Sequence, residues 1–183
     1  MIIEQTQLDG LVVATCSLRQ DPRGSFARLF CEEELKTVFG DRKIVQINQS
    51  RTAAVGAVRG LHYQYPPFAE MKLVRCLRGR VWDVAVDLRR QSPTFLKWHA
   101  VELSPASNNL MIVPEGFAHG FQVLESDSEL LYLHTSAYTP NSEGGLHCED
   151  PGLAISWPLA ISELSERDRL HLPLTTSFDG IAL

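Results

Sequence analysis

The stretch Val81 to Leu88 reads VWDVAVDL, and its strict alternation constrains the chain most. Trp82, Val84, Val86 and Leu88 fall on one face, with Val81, Asp83, Ala85 and Asp87 on the other, the period-two signature of a strand. Further extended runs are expected at Val12 to Leu18, Lys43 to Asn48, Ala100 to Leu103, Asn109 to Val113, Gly120 to Leu124 and Leu130 to Thr135. Gly79, between KLVRCLR and RVWDVAVDL, suggests a tight turn joining two paired strands. Helical pattern is sparse. Glu32 to Phe39 groups Leu35, Val38 and Phe39 and stops at Gly40, and a second short helix is expected near Ser162 or Ser165. Many short strands, few helices and turns rich in Gly, Pro and Asn favour an antiparallel β-barrel or sandwich over a doubly wound sheet.

With 183 residues and no repeat, low-complexity stretch or linker, one domain over 1–183 is expected. Seventeen Lys and Arg against 22 Asp and Glu give a net charge of -5, which disfavours non-specific nucleic-acid binding but leaves room for a local basic pocket. The start MIIEQTQLDG lacks the basic-then-apolar pattern of a signal peptide, and LVVATC is far too short to span a bilayer. Cys16, Cys31, Cys76 and Cys148 form no CxxC pair, so free thiols and a cytoplasmic protein are expected.

Chemistry-bearing residues concentrate in three places. VRGLHYQ (Val58 to Gln64) holds Arg59 and His62, Lys72 follows, and VPEGFAHGFQVL carries His119. In a barrel these could converge, although rim charges and hydrogen-bonded structural histidines explain them equally well. In ELLYLHTSAY, Leu130, Tyr132 and His134 share a face; either face could be inside, and a polar inner face would mean a lined pocket. A three-imidazole metal site from His62, His119 and His134 has no HxH or HExxH support, and no metal or other cofactor is expected. His99, His147 and His171 read as surface or local capping residues. DPRGSF reads first as a turn, and the SERD run around Asp168 as a solvated helix face. GxGxxG, GxxxxGK[ST] and GxSxG are all missing.

Taken together, DPRGSFARLF, QINQS, RGLHYQ, VAVDLRRQSPTF, VPEGFAHGF and LSERD occur in an order and spacing that closely resembles the dTDP-4-dehydrorhamnose 3,5-epimerases. The resemblance covers roughly residues 1 to 170. It implies a cupin or jelly-roll fold, mainly β with a few short helices, and a cofactor-independent isomerase. The implied reaction is inversion at C3 and C5 of dTDP-4-dehydro-6-deoxy-D-glucose. Inversion at C3 alone, another nucleotide-linked 4-keto sugar, and a non-catalytic sugar-nucleotide-binding module are the alternatives. By the same resemblance His62 matches the general base, Asp168 its carboxylate partner, Tyr132 the general acid, and Lys72 the group that meets developing charge. Arg59 and His119 match residues that hold the substrate. Arg23, Gln46, Asn48 and Glu143 match sugar-nucleotide contacts, Arg28 is a further substrate-binding candidate in a region the family uses for the nucleotide or for a neighbouring subunit's pocket, and Tyr138 matches the aromatic that stacks on the base. A homodimer is also implied.

Arg28 stands where many members have Glu, Ala137 where a second aromatic is frequent, and Cys148 where Trp is common. Arg59 and His62 have opposite parity, so both can line one cavity only if the strand bends or bulges near Gly60.

Overall fold

A computed structural model describes residues 1–183. Thirteen strands alternate with two short helices: β1 (Ile2–Gln5), β2 (Val12–Thr15), β3 (Leu18–Asp21), β4 (Gly24–Ala27), α1 (Glu32–Phe39), β5 (Gln46–Thr52), β6 (Val58–Gln64), β7 (Lys72–Arg78), β8 (Val81–Asp87), β9 (Trp98–Leu103), β10 (Asn109–Val113), β11 (Phe117–Val123), β12 (Ser128–His134), β13 (Glu143–Gly145) and α2 (Glu166–Arg169). All the strand pairings are antiparallel. One sheet runs β1-β2-β10-β7-β12-β5 and the other β13-β6-β11-β8-β9, while β3 and β4 form a separate hairpin.

The Gly79 turn corrects one expectation. β7 pairs with β10 and β12, and β8 with β11 and β9, so the turn carries the chain from one sheet to the other. Alternation on both flanks looks the same for a hairpin and for a sheet switch. At Gly79 φ is +75°, and any Cβ there would collide with Ser128. The run expected over Val12 to Leu18 divides into β2 and β3. α1 occupies the expected residues and ends at Gly40, whose φ is +58° and whose N–H caps the Lys36 carbonyl. The second helix begins after Ser165, whose hydroxyl oxygen accepts the Asp168 backbone N–H at 3.0 Å.

Three packing zones follow from strand parity. α1 covers one side of the six-stranded sheet, burying Leu35 and Phe39 with Val12, Ala14, Leu73, Leu110 and Ile112. The C-terminal segment covers the five-stranded sheet, where Leu146, Leu153 and Ile181 bury Val84, Val86 and Leu88. Trp98 and Trp157 fasten that segment by donating their indole N–H to the carbonyls of Leu153 and Cys148. Between the sheets, alternate positions change character along each strand: Cys76, Val74, Lys72 on β7; Leu130, Tyr132, His134 on β12; Val123, Phe121, His119 on β11. The apolar members of each series form a closed core, and the polar members line a cavity. Sheet order sets where that change falls.

Candidate active site

The cavity has a volume of about 1010 Å³ and is lined from both sheets and from the C-terminal segment, at the upper end of the size usual for a small-molecule site. From the five-stranded sheet come Arg59, His62 and His119, and from the six-stranded sheet Asn48, Lys72 and Tyr132.

Arg59 and His62 reach one cavity by the expected irregularity. His119 stands opposite His62 and Phe121 opposite Arg59, so β6 spends one residue more than β11 over that interval. Gly60 takes φ +117°, and a Cβ there would sit 2.6 Å from the Gly120 Cα. Only glycine lets the two backbones approach this closely.

His62 Nε2 lies 2.6 Å from Asp168 Oδ1. Because a carboxylate only accepts, that nitrogen carries the proton and Nδ1 keeps the lone pair. The Asp168 side chain is 2% exposed, and its Oδ2 accepts the Gly60 N–H at 3.1 Å. Burial alone would raise the Asp168 carboxyl, but the His62 hydrogen bond and charge, the Gly60 N–H and nearby Arg167 hold it down at about 2. Arg167 Nη2 approaches His62 Nε2 to 3.0 Å, a contact that two N–H groups cannot turn into a hydrogen bond.

Tyr132 lines the same cavity from the other sheet, its hydroxyl 2.8 Å from Ser50 Oγ. Burial pushes the Tyr132 phenol well above its ordinary value, against the lowering effect of Ser50. It therefore holds its proton at neutral pH. The Lys72 ammonium is buried, pairs with Glu70 Oε1 at 3.0 Å and donates to the His62 carbonyl at 3.4 Å.

The outer wall is more exposed. Tyr138 donates its hydroxyl to Glu143 Oε2 at 2.9 Å and its backbone N–H to Gln46 Oε1 at 2.9 Å. Arg167 also donates to Glu143 Oε2, at 2.9 Å. Gln64 Oε1 accepts the Thr139 N–H at 2.6 Å and fixes the Tyr138 loop against β6. Ala137 contributes its carbonyl to Gln64. Cys148 is buried in the C-terminal covering, and burial pushes its thiol up to about 11.

The structure therefore brings together His62, Asp168, Tyr132, Lys72, Arg59, His119, Gln46, Asn48, Tyr138 and Glu143. Arg23 and Arg28 are not in the cavity. They lie on or just after the β3–β4 hairpin, where Arg23 pairs with Asp21 at 2.6 Å and Arg28 with Glu34 at 2.5 Å, both largely exposed. The hairpin pairs only with itself, and none of its residues lines its own chain's cavity. The three imidazoles weighed as a metal site are each engaged by a separate carboxylate: His62 by Asp168, His119 by Asp83 at 2.8 Å, and His134 by Glu70 at 2.8 Å. The ligating atoms that do cluster belong to His62, Asp168 and His171, and the Arg167 guanidinium already lies against two of those groups.

His171 is a second correction. Its ring packs edge-on to His62 with centroids 6.0 Å apart, and its Nε2 is 3.9 Å from Asp168 Oδ1. His147 does cap locally, its Nδ1 accepting the Glu149 N–H. Sequence reading also missed Ser50, Glu70, Asp83 and Arg167. Parity with Asn48 on β5 and with Val81 on β8 carried a signal for Ser50 and Asp83, but Glu70 and Arg167 had none.

Known proteins carry the same sequence pattern and fold. A family model described as dTDP-4-dehydrorhamnose 3,5-epimerase matches residues 5–176. The enzyme of that name from Sinorhizobium fredii is 45% identical over 149 residues, covering 81% of this chain and 76% of its own. The crystal structure of the one from Elizabethkingia anophelis superposes with a TM-score of 0.91 at 36% identity, covering 97% of this chain and 98% of that one. A Legionella pneumophila dTDP-6-deoxy-D-glucose-3,5-epimerase in complex with dTDP-4-keto-L-rhamnose gives 0.87 at 41% identity, covering 92% and 89%.

Proposed function

This chain belongs to the dTDP-4-dehydrorhamnose 3,5-epimerase family, and on that premise we propose that it inverts C3 and C5 of dTDP-4-dehydro-6-deoxy-D-glucose, with one cupin-like domain over residues 1–183 carrying the reaction. One observation carries the assignment of roles. An imidazole with a free lone pair and a phenol that retains its proton line one cavity from opposite sheets.

Protons at C3 and C5 flank the C4 ketone and are acidic because their loss leaves an enolate. His62 Nδ1 takes the proton as a general base, and Asp168 holds the ring in the required tautomer and stabilises the imidazolium that forms. The Lys72 ammonium meets the charge that develops on the C4 oxygen. Tyr132 returns a proton to carbon from the other side, which inverts the centre; the His62 imidazolium then gives its proton to solvent and the Tyr132 phenolate takes one from solvent, which restores both groups. Arg59 and His119 hold the sugar and diphosphate side of the substrate. Gln46, Asn48 and Glu143 contact the sugar nucleotide, and Tyr138 stacks on the base.

The proposal extends to a homodimer in which the β3–β4 hairpin of a second copy brings Arg23 and Arg28 to the cavity mouth. Exposed Phe26 and Leu18 on that hairpin, and exposed Val45 and Ile47 beside the cavity, support it. A cytoplasmic location is supported by the four free cysteines; no helix is long and apolar enough to cross a membrane.

Proton NMR of dTDP-4-keto-6-deoxyglucose incubated with the protein in D2O tests the central reading. Loss of both the C3 and C5 proton signals is expected. Exchange at C3 alone would make it a 3-epimerase, and no exchange in folded, nucleotide-binding protein would overturn the assignment.

A further inference from the structure

Glu70 and His134 line the cavity, are almost completely buried and have no part in the proton transfers above. Glu70 lies just before β7 and divides its two oxygens. Oε1 is 3.0 Å from the Lys72 ammonium, and Oε2 is 2.8 Å from His134 Nδ1. Burial alone would raise the Glu70 carboxyl, yet His134 and Lys72 hold it below the ordinary range, so it carries its charge.

That charge fixes the next link. A carboxylate only accepts, so His134 Nδ1 donates; in the neutral ring the lone pair is then on Nε2. Nε2 is 3.4 Å from the side-chain nitrogen of Asn48, which therefore donates to it. The Asn48 amide is oriented as a result: one N–H is committed to His134, leaving the carbonyl oxygen and the second N–H for whatever occupies the cavity. The His134 ring is also held at 25° to the Tyr132 ring, centroids 6.2 Å apart.

We propose that Glu70 and His134 are positioning residues that form a relay from the Lys72 ammonium to the Asn48 amide. One shared carboxylate then sets both how much of the Lys72 charge is free to meet an enolate and which hydrogen-bonding sense Asn48 offers the sugar nucleotide. The inference rests on the roles of Lys72 and Asn48 given above. Its physical content is competition for Glu70: when His134 takes one oxygen, Lys72 is not held by the whole carboxylate.

Two substitutions separate the ends of the relay. In His134→Asn the shorter amide can still donate to Glu70 but no longer reaches Asn48. In His134→Gln the longer amide can accept from Asn48 but leaves Glu70 to Lys72 alone. The relay predicts that H134N raises KM for the sugar nucleotide about tenfold with kcat within about twofold, and that H134Q does the reverse, lowering kcat about tenfold at nearly constant KM. Loss of kcat and KM in parallel in both variants, or wild-type values in both, overturns it.

The imidazole 15N shifts of His134 in the wild-type protein give a second test that needs no variant to fold. The Nδ1–H tautomer is expected, and an Nε2–H tautomer overturns the relay. An inactive wild-type enzyme would sink the functional reading and leave the tautomer measurement to decide the relay by itself.

Discussion

Two carboxylate–imidazole pairs have their imidazoles directly opposite each other, His62 on β6 and His119 on β11, and their carboxyls are displaced in opposite directions. In the pair at the cavity wall, Asp168 is held down at about 2 while His62 is 23% exposed. In the interior pair, burial pushes the Asp83 carboxyl up despite the opposing effect of His119, whose side chain is 6% exposed, and Asp83 Oδ2 has no hydrogen-bond partner. The difference lies in the supporting donors. Asp168 accepts from His62 and Gly60 and has Arg167 nearby, whereas Asp83 has His119 alone as a hydrogen-bond donor. An ionised carboxylate buried without enough donors is costly, which separates the proposed acid–base dyad from the interior pair.

The sharpest break in that comparison is His62→Asn, expected to lower kcat by about 10³-fold in an epimerisation assay, because no lone pair of comparable basicity replaces Nδ1. Asp168→Asn comes next. It should lower kcat by about 10²-fold and, by weakening the bonds to His62 and Gly60, cost about 1–3 kcal/mol of stability, read as a melting temperature lower by roughly 3–8 °C at pH 7.

Asp83→Asn is the contrast. An amide matches a carboxyl that burial already drives towards its neutral form, so kcat should fall less than about tenfold and the melting temperature should stay level or rise at pH 7.

The pH dependence of stability separates the pairs by sign. Asp168 has its folded-state pKa below the ordinary 3.8. Its contribution is complete above that value and is lost as pH falls through about 2. The gap in melting temperature between wild type and D168N should therefore narrow between pH 5 and about pH 2. Asp83 is raised, so its contribution is complete at low pH and is lost as pH rises, and D83N should gain on the wild type in that direction.

The smallest expected effect concerns the hairpin. Arg23→Ala should raise KM a few fold at roughly constant kcat, since a guanidinium outside its own cavity can touch only the distal part of a substrate. Mixed dimers of R23A with H62N would show which copy supplies each residue. If the hairpin serves its neighbour, the half of the sites that keep His62 should turn over with the wild-type KM; if it serves its own cavity, those sites should show the raised KM of R23A.

Much of this was legible in the chain. Alternation in VWDVAVDL marked β8, and the opposite parity of Arg59 and His62 required the irregularity found at Gly60. The glycine stop of α1 and the serine cap of α2 were local signals, acting over a few residues. Period two also put Tyr132 and His134 on one face but left open which face was inside.

Tertiary structure decided the remainder. The Gly79 turn switches sheets because pairing depends on partners distant in sequence, β10 and β12 for β7 and β11 for β8. Asp168 and His171 join His62 only because a C-terminal segment, fastened by Trp98 and Trp157, covers the outer face of the five-stranded sheet. Burial, which pushes both Asp83 and Asp168 up, and the donors that outweigh it at Asp168 alone, exist only once those layers are in place. The sequence by itself determined local conformation and the alternation of faces, which act between near neighbours. Convergence and desolvation, which turn ordinary side chains into a site, depend on contacts across many residues and were decided by the fold.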